Sequence, residues 1–184
     1  VNFVVSATTN STDGVDLSEV YIVDNNFGDV MTESFGQCEL AFTDAELDGI
    51  SALAEQAAAQ GITYMVSTGD SGSAGCDNPN RETQAQYPPY VNALASSWYT
   101  VAVGGTMFNE NGQTSKYWSA TPPLGETALS YIPENVWNES CASATCASIW
   151  AGGGGASAFF AKPSWQPTTR WNVSREQIGR YHSV

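Results

Sequence analysis

Asp70 stands in the run Val66-Ser67-Thr68-Gly69-Asp70-Ser71-Gly72-Ser73-Ala74-Gly75-Cys76, where an apolar strand meets a glycine-rich turn. Gly69 and Gly72 let the backbone bend sharply and approach a ligand closely. The carboxyl is therefore expected at the C-terminal end of its strand, where open α/β sheets carry out their chemistry. The competing reading is a plain polar turn, since Asp, Ser and Gly are ordinary turn residues. Gly152-Gly153-Gly154-Gly155-Ala156-Ser157 has the look of a phosphate cradle but lacks the Lys-Ser or Lys-Thr that would neutralise and coordinate phosphate. His182 is the one histidine, and no Ser-His-Asp triad assembles around it.

Four cysteines allow three pairings, and spacing alone does not choose among them. Cys141 and Cys146, separated by four residues in a polar loop, could close a small surface ring. Cys38 and Cys76 each follow a strand end and become neighbours if those strands are adjacent in one sheet. Two local disulfides in an oxidising compartment is the preferred reading. A zinc site would need a tight C-x-x-C pair or a second histidine, so no metal site is expected.

The elements that must position Asp70 alternate along the first hundred residues. Val1 to Ser6 reads as a buried strand, and the segment from Asp13 to Val23 as a helix ending near Asn25 or Asn26, with Val20, Val23 and Phe27 at helical spacing. Asp29 to Gly36 follows as a short strand. Thr43-Asp44-Ala45-Glu46 is a capping box opening a second helix, whose buried face is Leu47, Ile50, Leu53, Ala54 and Ala57 and whose stop is Gly61. Thr63 to Val66 is the strand that delivers Asp70, and Tyr99 to Gly105 is another. Strand and helix in alternation imply parallel strands with right-handed crossovers, hence an α/β fold. From Met107 to Cys146 periodicity weakens, as in an extended loop or hairpin insertion.

Composition bounds the rest. The 184 residues suffice for one core, with 42% apolar and 11% aromatic side chains. Six Lys and Arg against nineteen Asp and Glu give a formal charge of −13, which would be repelled by nucleic acid and by anionic membrane surfaces. No apolar run reaches the length of a membrane span. An acidic surface of this kind suits work at low pH, where protonation lowers the charge instead of building positive repulsion. The chain opens without an initiating Met or a signal pattern and stops without a cap, so it is expected to be cut from a longer, secreted protein, extracellular or periplasmic.

The order of these features carries a resemblance. A strand plus Ser34-Phe35-Gly36, a capped helix ending at Gly61, a strand plus Ser67-Thr68-Gly69-Asp70-Ser71-Gly72, then Tyr87-Pro88-Pro89-Tyr90-Val91 and Thr100-Val101-Ala102-Val103-Gly104-Gly105-Thr106, resembles the sedolisin family of serine-carboxyl peptidases, the kumamolisin-like branch in particular. Gly153-Gly154-Gly155-Ala156-Ser157-Ala158-Phe159-Phe160-Ala161-Lys162-Pro163-Ser164-Trp165-Gln166 is similar to a second family signature. The resemblance covers nearly the whole chain. It implies a subtilisin-like three-layer fold, of which residues 1–184 would be the middle portion, truncated at both ends.

The resemblance also implies roles. Asp70 takes the oxyanion-hole position that subtilisins fill with an asparagine: a neutral carboxylic acid can donate to the oxygen that turns negative as a peptide carbonyl becomes tetrahedral, whereas a carboxylate would repel it. Ser34, Phe35 and Gly36 match the edge that pairs with substrate backbone, with Gly69 beside Asp70. The family's nucleophilic Ser, its Glu and Asp pair and its calcium loop match nothing in this sequence. The chain alone is thus expected to be inactive, with no cofactor of its own. Calcium, a propeptide and the remainder of the catalytic domain are implied for the full-length protein, and protein or peptide as substrate. Two rivals are a non-catalytic secreted peptide-binding or adhesion module on the same fold, and an unrelated carbohydrate-binding domain suggested by the six tryptophans.

Overall fold

The computed structural model describes residues 1–120, 127–141, 145 and 147–166. Helix α1 spans Gly14–Asp24, with Asp13 as N-cap accepting from the Val15 N–H. Strand β1 is Val30–Glu33. Helix α2, Asp44–Ala59, begins at the expected capping box: the Thr43 hydroxyl accepts from Glu46 N, and the Glu46 carboxylate accepts from Thr43 N at 2.7 Å. The helix ends through Gly61 at φ +84°, a left-handed conformation that glycine adopts without strain. Strand β2 is Thr63–Ser67 and β3 is Thr100–Val103.

These three strands form one parallel sheet in the order β1-β2-β3, with Met31 opposite Tyr64 and Val66 opposite Ala102. Alternation along each strand sends Met31, Glu33, Tyr64 and Val66 to one buried face. That face packs under α1 and α2, giving a core of Val23, Leu47, Ala54, Ala57, Ile62, Tyr64, Val66, Ala93 and Leu94. Val23 and Val66 are fully buried, each contributing about 2 kcal/mol of apolar transfer. Alternation of strand and helix also implies a sheet covered on both faces, whereas the opposite face here leaves Val30, Val101 and Val103 exposed among the described residues.

Strand β4, Thr106–Phe108, pairs antiparallel with β5, Glu134–Val136, which is the hairpin anticipated in the irregular region. A single helical turn, α3, Thr114–Tyr117, lies between them.

Two local readings change. Val1 to Ser6 is not a strand: Val1, Phe3 and Val5 are exposed, and no strand among the described residues lies beside them to complete a ladder. Of the expected helical face, Val23 is fully buried, but Val20 on α1 and Phe27 beyond its end are each 42% exposed, and Gly14, Ser18 and Glu19 complete the buried face. Small side chains win there because the extended segment before the helix crosses close by. A Cβ on Gly14 would stand 2.2 Å from the Ser6 carbonyl oxygen, and Ser18 Oγ donates to Ser6 Oγ at 3.0 Å.

Candidate active site

Strand β2 runs out into the Asp70 turn, and Gly69 at φ +99° and Gly72 at φ +58° make the two left-handed bends. Both angles lie where an L side chain is strained, which explains glycine at each position. Asp70 is exposed, and its carboxyl makes no hydrogen bond to any described residue. The turn is held instead by backbone. Gly153 N donates to Gly69 O at 2.8 Å, Ala151 N to Asp70 O at 2.9 Å, and Gly72 N to Ala151 O at 2.9 Å. The 151–153 segment thus runs as a short parallel partner to the turn. A Cβ on Gly153 would meet the Thr68 carbonyl oxygen at 1.9 Å, so the glycine run serves close backbone passage.

Across from the turn, β1 leads into Ser34, Phe35 and Gly36, all exposed. All the sequence-predicted site residues other than cysteines, Ser34, Phe35, Gly36, Gly69 and Asp70, line one cleft of about 460 Å³. Its other walls include Asn80, Asn92 and Trp150. Trp150 stacks at a tilt on Trp137, with ring centroids 6.1 Å apart.

One rim of the cleft is covalently closed. Cys38, four residues after Ser34, is disulfide-bonded to Cys76, six residues after Asp70. Spanning 38 residues, this bond removes about 4 kcal/mol of chain entropy from the unfolded state by loop-closure arithmetic. Cys141 is also disulfide-bonded, while Cys146 lies outside the described residues, as do His182 and Trp171.

Sequence reasoning passed over three further groups. Asn92 is 8% exposed and sits in the cleft's floor between the two lips. Glu39 is buried and accepts from Ser157 Oγ at 2.6 Å and Ala158 N at 2.8 Å, which ties the second glycine-rich segment to the β1 side. The third group lies directly behind the cleft. Glu33, the last residue of β1, accepts from the Tyr64 hydroxyl at 2.5 Å and meets Glu19 of α1 in the interior. Glu19 Oε1 and Glu33 Oε1 are both buried without a hydrogen-bond partner. Burial, then the Glu33 charge, pushes Glu19 from an ordinary 4.5 up to about 9. Burial also raises Glu33, against hydrogen bonds from Tyr64 and Glu19 that favour its charged form, and burial with both carboxylates raises the Tyr64 phenol. The inward alternation of Met31 and Glu33 was the available signal.

No family model matches the chain. Curated relatives do. The chain is 34% identical over 157 residues to sedolisin of Pseudomonas sp. (strain 101), covering 85% of this chain and 24% of that protein. It is 30% identical over 191 residues to xanthomonalisin of Xanthomonas sp. (strain T-22), covering 92% and 21%. A solved Pseudomonas sedolisin, a serine-carboxyl proteinase complexed with two molecules of pseudo-iodotyrostatin, superimposes with a TM-score of 0.59 at 34% identity, over 87% of this chain and 38% of that one. The chain is a sedolisin-family sequence. It spans about a quarter or less of the curated relatives' length. Its parallel sheet and covering helices accordingly belong to the subtilisin-like α/β class. Among the described residues no three His, Cys, Asp or Glu side chains converge as metal ligands. No described helix is long and apolar enough to cross a membrane.

Proposed function

We propose that the full-length protein is a serine-carboxyl endopeptidase acting on proteins at acidic pH, and that this chain supplies its oxyanion donor and part of its substrate groove. The observation that carries the reading is the joint placement of Asp70 and Ser34-Phe35-Gly36 on one cleft at the C-terminal ends of neighbouring parallel strands, in a sequence related to sedolisin. A peptide laid along Ser34 to Gly36 bonds through its main chain, as in strand addition. Its scissile carbonyl then faces the Asp70 turn. In the acid form Asp70 donates a hydrogen bond to the developing oxyanion. The nucleophilic serine and its activating carboxylates come from sequence outside these 184 residues, and attack by that serine gives an acyl-enzyme that water hydrolyses.

The test is release of peptides from a denatured protein by the full-length protein between pH 3 and 7. Expected are turnover confined to the acidic side and inhibition by pseudo-iodotyrostatin, which the Pseudomonas sedolisin binds. Turnover that peaks at neutral pH overturns the acid-donor mechanism. Peptide binding with no cleavage at any pH favours the binding-module reading. The 184-residue chain by itself is expected to cleave nothing, and serine-dependent turnover by it would refute the division of labour proposed here.

A further inference from the structure

The β1–β2 ladder ends at the pair Glu33 and Val66. Past that point the two chains part, Ser34 to Gly36 forming one lip of the cleft and Ser67 to Asp70 the other. Two diverging strands leave carbonyl groups that can no longer reach an N–H of the neighbouring strand, and part-buried acceptors of this kind gain from another donor. Asn92 fills the fork. Its Nδ2 donates to Ser67 O at 2.8 Å and, more loosely, to Phe35 O at 3.4 Å. Its Oδ1 accepts from Leu94 N at 3.1 Å, so all of its amide is engaged and its orientation is fixed. The backbone is pinned as well: Asn92 bridges antiparallel to Cys38, Ala93 N donates to Gln37 O at 2.9 Å, and Ser96 Oγ donates to Asn92 O at 2.6 Å.

The fit is close on the opposite side too. A Cβ on Gly36 would stand 1.9 Å from Asn92 Nδ2, so the lip can lie this near the amide only with glycine at 36. A neutral side chain with two N–H donors spans two carbonyl oxygens. A carboxylate in the same place would repel both, and a hydroxyl has one donor and a shorter reach.

We infer that Asn92 is a positioning residue, whose amide sets the separation between the lip that holds substrate backbone and the turn that carries Asp70. It touches neither substrate nor the reacting atoms. Its effect is on registration: a peptide bound to one lip is useful only if its carbonyl reaches the acid on the other. The inference rests on the peptidase reading above.

In the full-length protein, Asn92→Ala is expected to lower kcat by about 10- to 100-fold, in line with misplacement by roughly an ångström, while KM changes by less than about threefold. Asn92→Asp supplies a donor only when protonated. It is expected to retain activity at the acid end of the profile and to lose it earlier than the wild type as pH rises through the carboxyl range, near 3.9 for an unperturbed Asp. Wild-type kcat and KM in Asn92→Ala, or a loss in both variants that merely follows the folded fraction with no acid recovery in Asn92→Asp, would overturn the assignment. If Asn92→Ala does not fold, the Asn92→Asp profile decides alone. If the wild type cleaves nothing, the peptidase reading fails, and site-resolved hydrogen exchange decides the positioning role separately. The amides of Glu39 and Thr68, which donate to Val91 and Val103 on either side of the fork, should then lose protection together in the variant. Unchanged protection at either one overturns it.

Discussion

Asp70 and the Glu19–Glu33 pair are acids that meet water in opposite ways. Asp70 projects from a glycine turn into an open cleft, and its carboxyl has no hydrogen-bond partner among the described residues. Glu19 and Glu33 are each 8% exposed, enclosed between α1 and β1 with Tyr64, and Asp16 adds its charge from the same helix. The outer acid is open to the medium, and the proposed mechanism uses its neutral form as a donor. The inner pair keeps protons because the interior disfavours two adjacent charges. One arrangement opens an acid to solvent; the other resists full ionisation inside the core.

The comparison breaks most sharply at Asp70. Asp70→Ala in the full-length protein is expected to lower kcat by about 10² to 10³ with little change in KM, the cost of losing one oxyanion donor. An unchanged kcat would return the residue to an ordinary polar turn. Asp70→Asn keeps a donor and removes titration, so the high-pH limb of kcat attributable to this residue should move toward neutral; an identical pH profile would show that another group governs it.

The buried pair should speak through stability. The folded chain retains protons that the unfolded chain releases above about pH 4.5, so this contribution is complete below that pH and drains away as pH rises toward the Glu19 value of about 9. Thermal unfolding is expected at a higher Tm at pH 4 than at pH 8. Glu33→Gln keeps an acceptor for the Tyr64 hydroxyl while removing one charge, and should flatten that slope without changing kcat at acidic pH. A slope as steep in the variant as in the wild type would exclude the pair as its source. The smallest effect serves as a reference that touches neither region: Thr43→Ala removes the α2 cap at about 1 kcal/mol, or roughly 2 to 4 °C in Tm, at neutral pH, and because the Thr43 backbone and hydroxyl hold the Glu46 carboxyl below its usual range, the loss shrinks as pH falls and Glu46 protonates.

What could be read from the chain was what neighbours in sequence decide. Thr43 and Glu46 cap each other three residues apart, and Gly69, Gly72 and Gly61 sit where left-handed backbone is required. The parallel direction of the strands followed from alternation of strand and helix, but their β1-β2-β3 order did not, and β2 and β3 are joined with no α-helix between them, only the 3₁₀ turn Leu94–Ser96. The convergence of Ser34 to Gly36 with Asp70 came from family resemblance, since no local pattern links positions more than thirty residues apart. Asn92 had no local signal at all, because its partners Phe35 and Ser67 are 57 and 25 residues away. Val1 to Ser6 failed for a related reason: alternation describes a strand's faces, but a strand also needs a neighbour for its backbone. Around α1 the apolar spacing was right for Val23, which is fully buried, but misled at Val20 and Phe27, since close approach by the 6–8 segment rewards Gly14 and Ser18 over bulk.

The bond between Cys38 and Cys76 makes the groove depend on the redox history of the molecule in a way that the helices and sheet do not. The sheet, α2 and its cap are assembled from hydrogen bonds and apolar contacts that form equally well in a reducing cytosol. Material folded there could pass for native by circular dichroism while its two lips remain untethered at one end. Oxidative refolding, judged by thiol titration ahead of any assay, is the step that separates a correctly shaped sheet from a finished groove.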